Sequence, residues 1–191
     1  MANIVDTSYY IEGNEETIDL VYNALTKNKS QDGASLGCIL RDCGIDIEKY
    51  HGAEWFFSYH RMKPNVLYIP TESRWWPSNF SEMLEEHFKD LRIYYQVWDI
   101  EGGCYPQTND IEGKYFKRYM CTTDDFYSNL DDRLGIGCES FSTLEEVFFY
   151  LKEKTNFIST MEDVRKYNGL YKDKTAEIVI VDKCSGENLI K

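Results

Sequence analysis

The chain has three histidines, His51, His60 and His87. His60 stands in an aromatic-rich run, with Glu54 before it and Glu72 after it. An imidazole beside a carboxylate can move protons. His60, Glu72 and Trp75 therefore define one candidate catalytic centre. The plainer account makes His60 a partly exposed strand residue and His87 a helix-surface residue. Arg74, Trp75 and Trp76 form a second constellation, with Arg61 one strand earlier. Two indoles beside guanidinium groups can stack on bases, peptide aromatics or a sugar. The plainer account has one Trp closing the core and the other covering it. The third constellation is acidic: Asp124, Asp125, Asp131 and Asp132, followed by Glu139, Glu145 and Glu146. A calcium loop requires a Gly at its sixth position. Counted from Asp124 that Gly is absent, which excludes an EF-hand. Magnesium held by two aspartates and a solvated charge run remain open. So does a surface of carboxylates that imitates a phosphate backbone for a basic partner.

Other chemistries lack their residues. The six cysteines show no Cys-x-x-Cys spacing and no nearby His, so they read as structural thiols. We expect no metal, no disulfide and no cofactor. There is no phosphate-cradling Gly-x-x-x-x-Gly-Lys loop, no Gly-x-Gly-x-x-Gly and no Gly-x-Ser-x-Gly. The formal charge of −12, from 33 acidic against 21 basic side chains, argues against a phosphate-backbone binder. A nucleic-acid module would have to use aromatics on an open sheet face, with Tyr59, Tyr94, Trp98 and Tyr119 as candidates and Lys117 and Arg118 as the close basic pair. Aromatics make up 15% of the 191 residues, which speaks for a folded chain. The opening Met1-Ala2-Asn3-Ile4-Val5-Asp6 has no signal-peptide pattern, and no apolar stretch reaches membrane-spanning length. The expected location is cytoplasmic.

These groups need elements to hold them. Residues 3–12 alternate as a strand. Asn14 then caps an amphipathic helix carrying Ile18, Val21, Tyr22 and Leu25 at helical spacing. Leu36, Ile39 and Leu40 predict one or two helical turns before Gly44. Residues 54–62 and 65–70 read as adjacent strands around a Pro64-Asn65 turn, and 71–77 as a loop carrying the Trp pair. Asn79 with Glu82 has capping-box spacing. Phe80, Met83, Leu84, Phe88 and Leu91 mark the buried stripe of the helix 79–91. Residues 92–100 and 114–123 alternate as further strands. Capping boxes at Ser142–Glu145 and Ser159–Glu162 open two more helices, the second stopped by Asn168-Gly169. The run at 176–182 is too apolar to be left solvated, so it is expected to join the main sheet.

The order β-α-β-β-α-β is that of a split βαβ, a ferredoxin-like antiparallel sheet with both helices on one face. The stretch from Asn3 to Gly13 running into a helix resembles the opening of the YubB-type ferredoxin-like family of plasmid and phage proteins. The Trp-Pro feature of Thr71 to Pro77, leading into a helix at 78–91, and the strand ending in Glu101-Gly102 fit the same pattern. The resemblance covers roughly residues 1–123. It departs at Ile4-Val5-Asp6, where the family has a Trp or Cys. It implies a fold and a mobile-element setting, and no catalytic residue.

The expected molecule is a single α+β domain. Residues 1–123 form a ferredoxin-like core, and 124–191 supply an acidic loop, two helices and a final strand packed on it. The expected function is noncatalytic contact with a protein partner, one form being an acidic inhibitor of a basic host factor. Arg74, Trp75, Trp76, Asp124, Asp125, Asp131 and Asp132 are its binding residues. An enzyme at His60, Glu72 and Trp75 and a nucleic-acid module on the sheet face are the alternatives.

Overall fold

The computed structural model describes residues 3–99, 104–123, 134–170 and 177–190. It is a mixed α+β structure with two antiparallel sheets and five helices among the described residues. The chain divides into two compact units, Met1–Asn109 and Asp110–Lys191.

The first unit is built on β1 (Ile4–Glu12), flanked antiparallel by β5 (Val66–Arg74) and β6 (Arg92–Trp98). Both β3 (Glu54–Phe56) and β4 (His60–Lys63) pair with β5, at opposite ends of it. The expected strand 54–62 is thus interrupted at 57–59. Strand β5 continues past Pro70, so residues 71–74 are strand and only the Trp pair leaves the sheet. Short β2 (Ala34–Ser35) and β7 (Gln107–Thr108) extend the two edges. Helices α1 (Glu15–Asn28), α2 (Leu36–Asp42) and α3 (Phe80–His87) bury Ile18, Leu25, Ile39, Leu40, Phe80 and Leu84 in one core with Tyr9, Ile11, Leu67 and Ile93 of the sheet. All three helices therefore cover the same face. Asn14 caps α1 as expected, accepting from the Thr17 amide at 2.8 Å. Helix α3 is shorter than expected. It stops at His87, and Phe88 turns extended and is only partly buried.

The second unit pairs β10 (Ile178–Asp182) with β8 (Tyr119–Thr123), and adds β9 (Glu139–Phe141) and β11 (Glu187–Asn188) at the edges. This corrects the expected single sheet: 119–123 and 178–182 pair with each other, and neither joins β1, β5 or β6. Every residue of β10 is buried, which is why it reads as a continuous apolar run without alternation. Strand β8 starts later than expected because Asp110 claims residues 114–116. Its buried carboxylate accepts from the amides of Lys114, Tyr115 and Phe116 and folds them into a turn.

Helices α4 (Leu144–Thr155) and α5 (Met161–Leu170) pack Val147, Leu151, Val164 and Tyr167 against Cys121, Ile178 and Ile180. Both predicted capping boxes slip by one residue: Thr143 accepts from Glu146, and Thr160 from Asp163. Asn168 does not stop α5. Its amide instead bonds both backbone groups of Ile178, tying helix to strand. The six cysteines stand as free thiols. Burial pushes the Cys121 thiol up to about 12, and Cys43 to about 11. Among the described residues no helix is long and apolar enough to cross a membrane.

Candidate functional pocket

The sequence-predicted groups scatter. His60 is exposed on β4, in register with Tyr68. Glu72 lies four residues further along β5, about 13 Å away at the usual strand rise. Trp75 lies beyond the end of that strand, so the proposed catalytic trio does not converge. Tyr59 packs on the helix side, against the rings of Tyr22 and Phe56, whereas Tyr94 aligns with Tyr10 in the sheet. Tyr119 belongs to the second sheet. Arg118 is engaged by Asp182 through three contacts of 2.7 to 3.2 Å. Of the four sheet-face candidates, Tyr94 and Trp98 lie four residues apart on β6 and share one face of it, while Tyr59 and Tyr119 lie elsewhere. Asp124, Asp125, Asp131 and Asp132 lie outside the described residues. Glu139, Glu145 and Glu146 are exposed.

Arg74, Trp75 and Trp76 follow one another where β5 ends, and of the three Trp76 lines a pocket. The Arg74 guanidinium lies over the Trp55 ring at 5.7 Å. The Trp75 amide donates to Asn3 at 3.0 Å, which carries the β1–β5 ladder one step past the strand. Trp75 then takes a positive φ of 74°, a conformation that costs a bulky residue energy. The turn leaves Trp75 63% and Trp76 54% exposed. Both indoles are therefore surface features, against the account in which one closes the core.

Trp76 borders a pocket of about 210 Å³. Tyr9 of β1 and Tyr95 and Val97 of β6 supply the sheet side. Ser78 and Glu82, at the start of α3, supply another wall, and His51 comes from the preceding loop. Asn79 explains how that loop is held. Its amide oxygen accepts from the His51 amide at 3.0 Å, and its nitrogen donates to the Lys49 carbonyl at 3.0 Å. It therefore does not cap α3, contrary to its capping-box spacing. Gly52 completes the approach. It has a φ of 100°, and a Cβ there would come within 2.8 Å of the Ser78 backbone.

Behind the wall lies Glu54, wholly buried. One carboxylate oxygen accepts from Thr71. The other accepts from the Tyr9 hydroxyl at 3.2 Å, the Ser78 amide at 2.8 Å and the Ser78 hydroxyl at 2.7 Å. Among the described residues no ion pair involves Glu54. A carboxylate without a cation is costly to bury, and these four donors offset that cost. Burial, with the Glu54 charge beside it, holds the Tyr9 hydroxyl well above its ordinary range. Burial also raises Tyr95, and Glu82 and Glu85 push it the same way.

In the sequence Glu54 stands out only as a neighbour of His60, and Tyr9 carries no site signal. The signal available was weak: a Glu at the head of an aromatic strand, where its side chain faces inward. Compared with models of protein families, with curated proteins and with solved structures, the chain matches none of them.

Proposed function

We propose that the chain is a noncatalytic recognition protein, and that its first unit receives a side chain of a protein partner in the pocket beside Trp76. The observation that carries this reading is a small pocket next to two exposed indoles, one of them held in a strained turn. Pockets for drug-sized ligands enclose about 300–1,000 Å³. A space of about 210 Å³ suits a single side chain better. Exposed Trp and Arg are the residues that most often anchor protein interfaces. Glu54 has both oxygens occupied by protein donors, which fits an orienting role better than proton transfer.

We also propose a ferredoxin-like description for residues 3–109. In support, the order β6–β1–β5, with β3 and β4 beyond β5 and α1 and α3 on one face, follows that plan. Elements β2, α2 and β7 would then be additions to it.

Selection of random peptides on the immobilised full chain tests the recognition reading. The expected result is enrichment of peptides whose binding is lost in Trp76→Ala while the fold is kept. No enrichment, or binding indifferent to Trp76→Ala, would refute it.

A further inference from the structure

Resting on that reading, we infer that the group received in the pocket is an organic cation, the guanidinium or ammonium of a basic side chain. The first argument is the direction of the hydroxyl protons. Tyr9 and Ser78 both line the pocket, and both hydroxyls donate to Glu54. A hydroxyl has one proton to give, so towards a ligand these oxygens can only accept. Their natural partners are N–H groups. Guanidinium and ammonium are donors only.

Charge is the second argument. Among the described residues, Glu82 is the one side chain of the Asp, Glu, Lys or Arg type in the pocket lining. Glu54 lies directly behind Tyr9 and Ser78 without an ion-pair partner among the described residues. The whole unit leans the same way: residues 1–109 hold 17 Asp and Glu against 9 Lys and Arg.

The third argument is aromatic. Tyr9, Tyr95 and Trp76 border one small space, and ring faces attract cations, Trp most strongly. An anion at the start of α3 is the opposing possibility, since helix N-termini favour negative charge. Here that position is already taken. The Ser78 amide is given to Glu54, and Glu82 occupies the first turn.

The test titrates the full chain with N-acetyl-arginine amide, N-acetyl-lysine amide and tetramethylammonium. The neutral N-acetyl-norleucine amide and sodium sulfate serve as comparators. The readout is the indole N–H resonance of Trp76, assigned with Trp76→Phe. Saturable shifts are expected from the arginine and lysine amides, at least tenfold tighter than from norleucine amide or from tetramethylammonium, which has no N–H to donate. Glu82→Gln, at an exposed position that leaves the fold alone, should weaken cation binding roughly tenfold. Tetramethylammonium binding as tightly as the amino-acid amides would show that ring faces alone hold the cation, and would overturn the basic-side-chain form of the inference. Preferential binding of norleucine amide or of sulfate would overturn the cation while leaving a working pocket. No shift at Trp76 with any of these probes overturns the inference, and the recognition reading falls with it only if the peptide selection is empty too.

Discussion

Trp75 shows how much a single residue can concede to its surroundings. Its positive φ is one that glycine adopts freely and that a Trp adopts at a cost. The indole is mostly solvent-exposed, so little packing repays that cost. Trp75→Gly should therefore leave the chain equally stable or stabilise it by about 1 kcal/mol, read from urea denaturation. A loss above about 1 kcal/mol would mean that the indole contributes to the core after all. Lys183 makes a different concession. It is 2% exposed, and one of its contacts is to the Ser140 hydroxyl at 3.4 Å. Burial pulls it down to about 8, with Lys117 acting the same way and the thiols of Cys138 and Cys184 opposing. In the unfolded chain a lysine titrates near 10.4. Between about pH 8 and 10.4 the unfolded state thus holds more protons, and this residue's contribution to stability rises with pH through that window. The stability of the wild type relative to Lys183→Met should therefore rise between pH 7 and pH 10, read from urea denaturation. An equal gap at both pH values would show that Lys183 keeps its ordinary affinity for protons.

At the level of elements, the site depends on how closely one loop approaches α3. Gly52→Ala places a methyl against Ser78 at a φ that alanine resists. It should cost about 2 kcal/mol or more and should disturb the Ser78–Glu54 bonds. A cost below about 0.5 kcal/mol would mean that the loop yields freely. Leu84→Ala, deep under α3, should cost about 2–5 kcal/mol and leave Gly52 in place. Helices and strands with a clean period, such as α1, β1 and β6, could be read from the sequence because their burial is one-sided. What could not be read were side chains with competing partners. Asn79 had the spacing of a cap, but the 49–51 loop took both ends of its amide. Asn168-Gly169 looked like a stop, but Ile178 offered Asn168 two bonds and the helix ran on. The capping boxes slipped because each offers two adjacent hydroxyl residues and more than one acid, and spacing alone does not choose between the registers. Sheet membership was missed for a similar reason. A strand buried on both faces says that it needs neighbours, and leaves open which ones. The pocket was invisible because Tyr9, Glu54 and Ser78 are distant in sequence, and only the β1–β5 and β3–β5 registers bring them together.

For the whole molecule, on the proposed reading, charge governs how a basic partner arrives more than how long it stays. A net charge of −12 sets up a field that draws cations from a distance, and the first unit carries most of that excess. Steering of this kind acts through water. Its range shrinks from about 10 Å at 0.1 M salt to about 3 Å at 1 M. Inside the pocket the attraction is short-range: ring faces, two accepting hydroxyls and a buried carboxylate that salt screens poorly. The two contributions separate kinetically. For an arginine-containing peptide recovered by selection, the association rate should fall on the order of tenfold between about 0.05 and 0.5 M sodium chloride. The dissociation rate should change by less than about threefold over the same range. Trp76→Ala should act in the opposite manner, speeding dissociation while association keeps its salt dependence. Stopped-flow Trp fluorescence reads the wild-type rates, and a labelled peptide reads those of the variant. If salt speeds dissociation as strongly as it slows association, the cation is held at the surface by diffuse charge, and the acceptor-lined pocket is not what retains it.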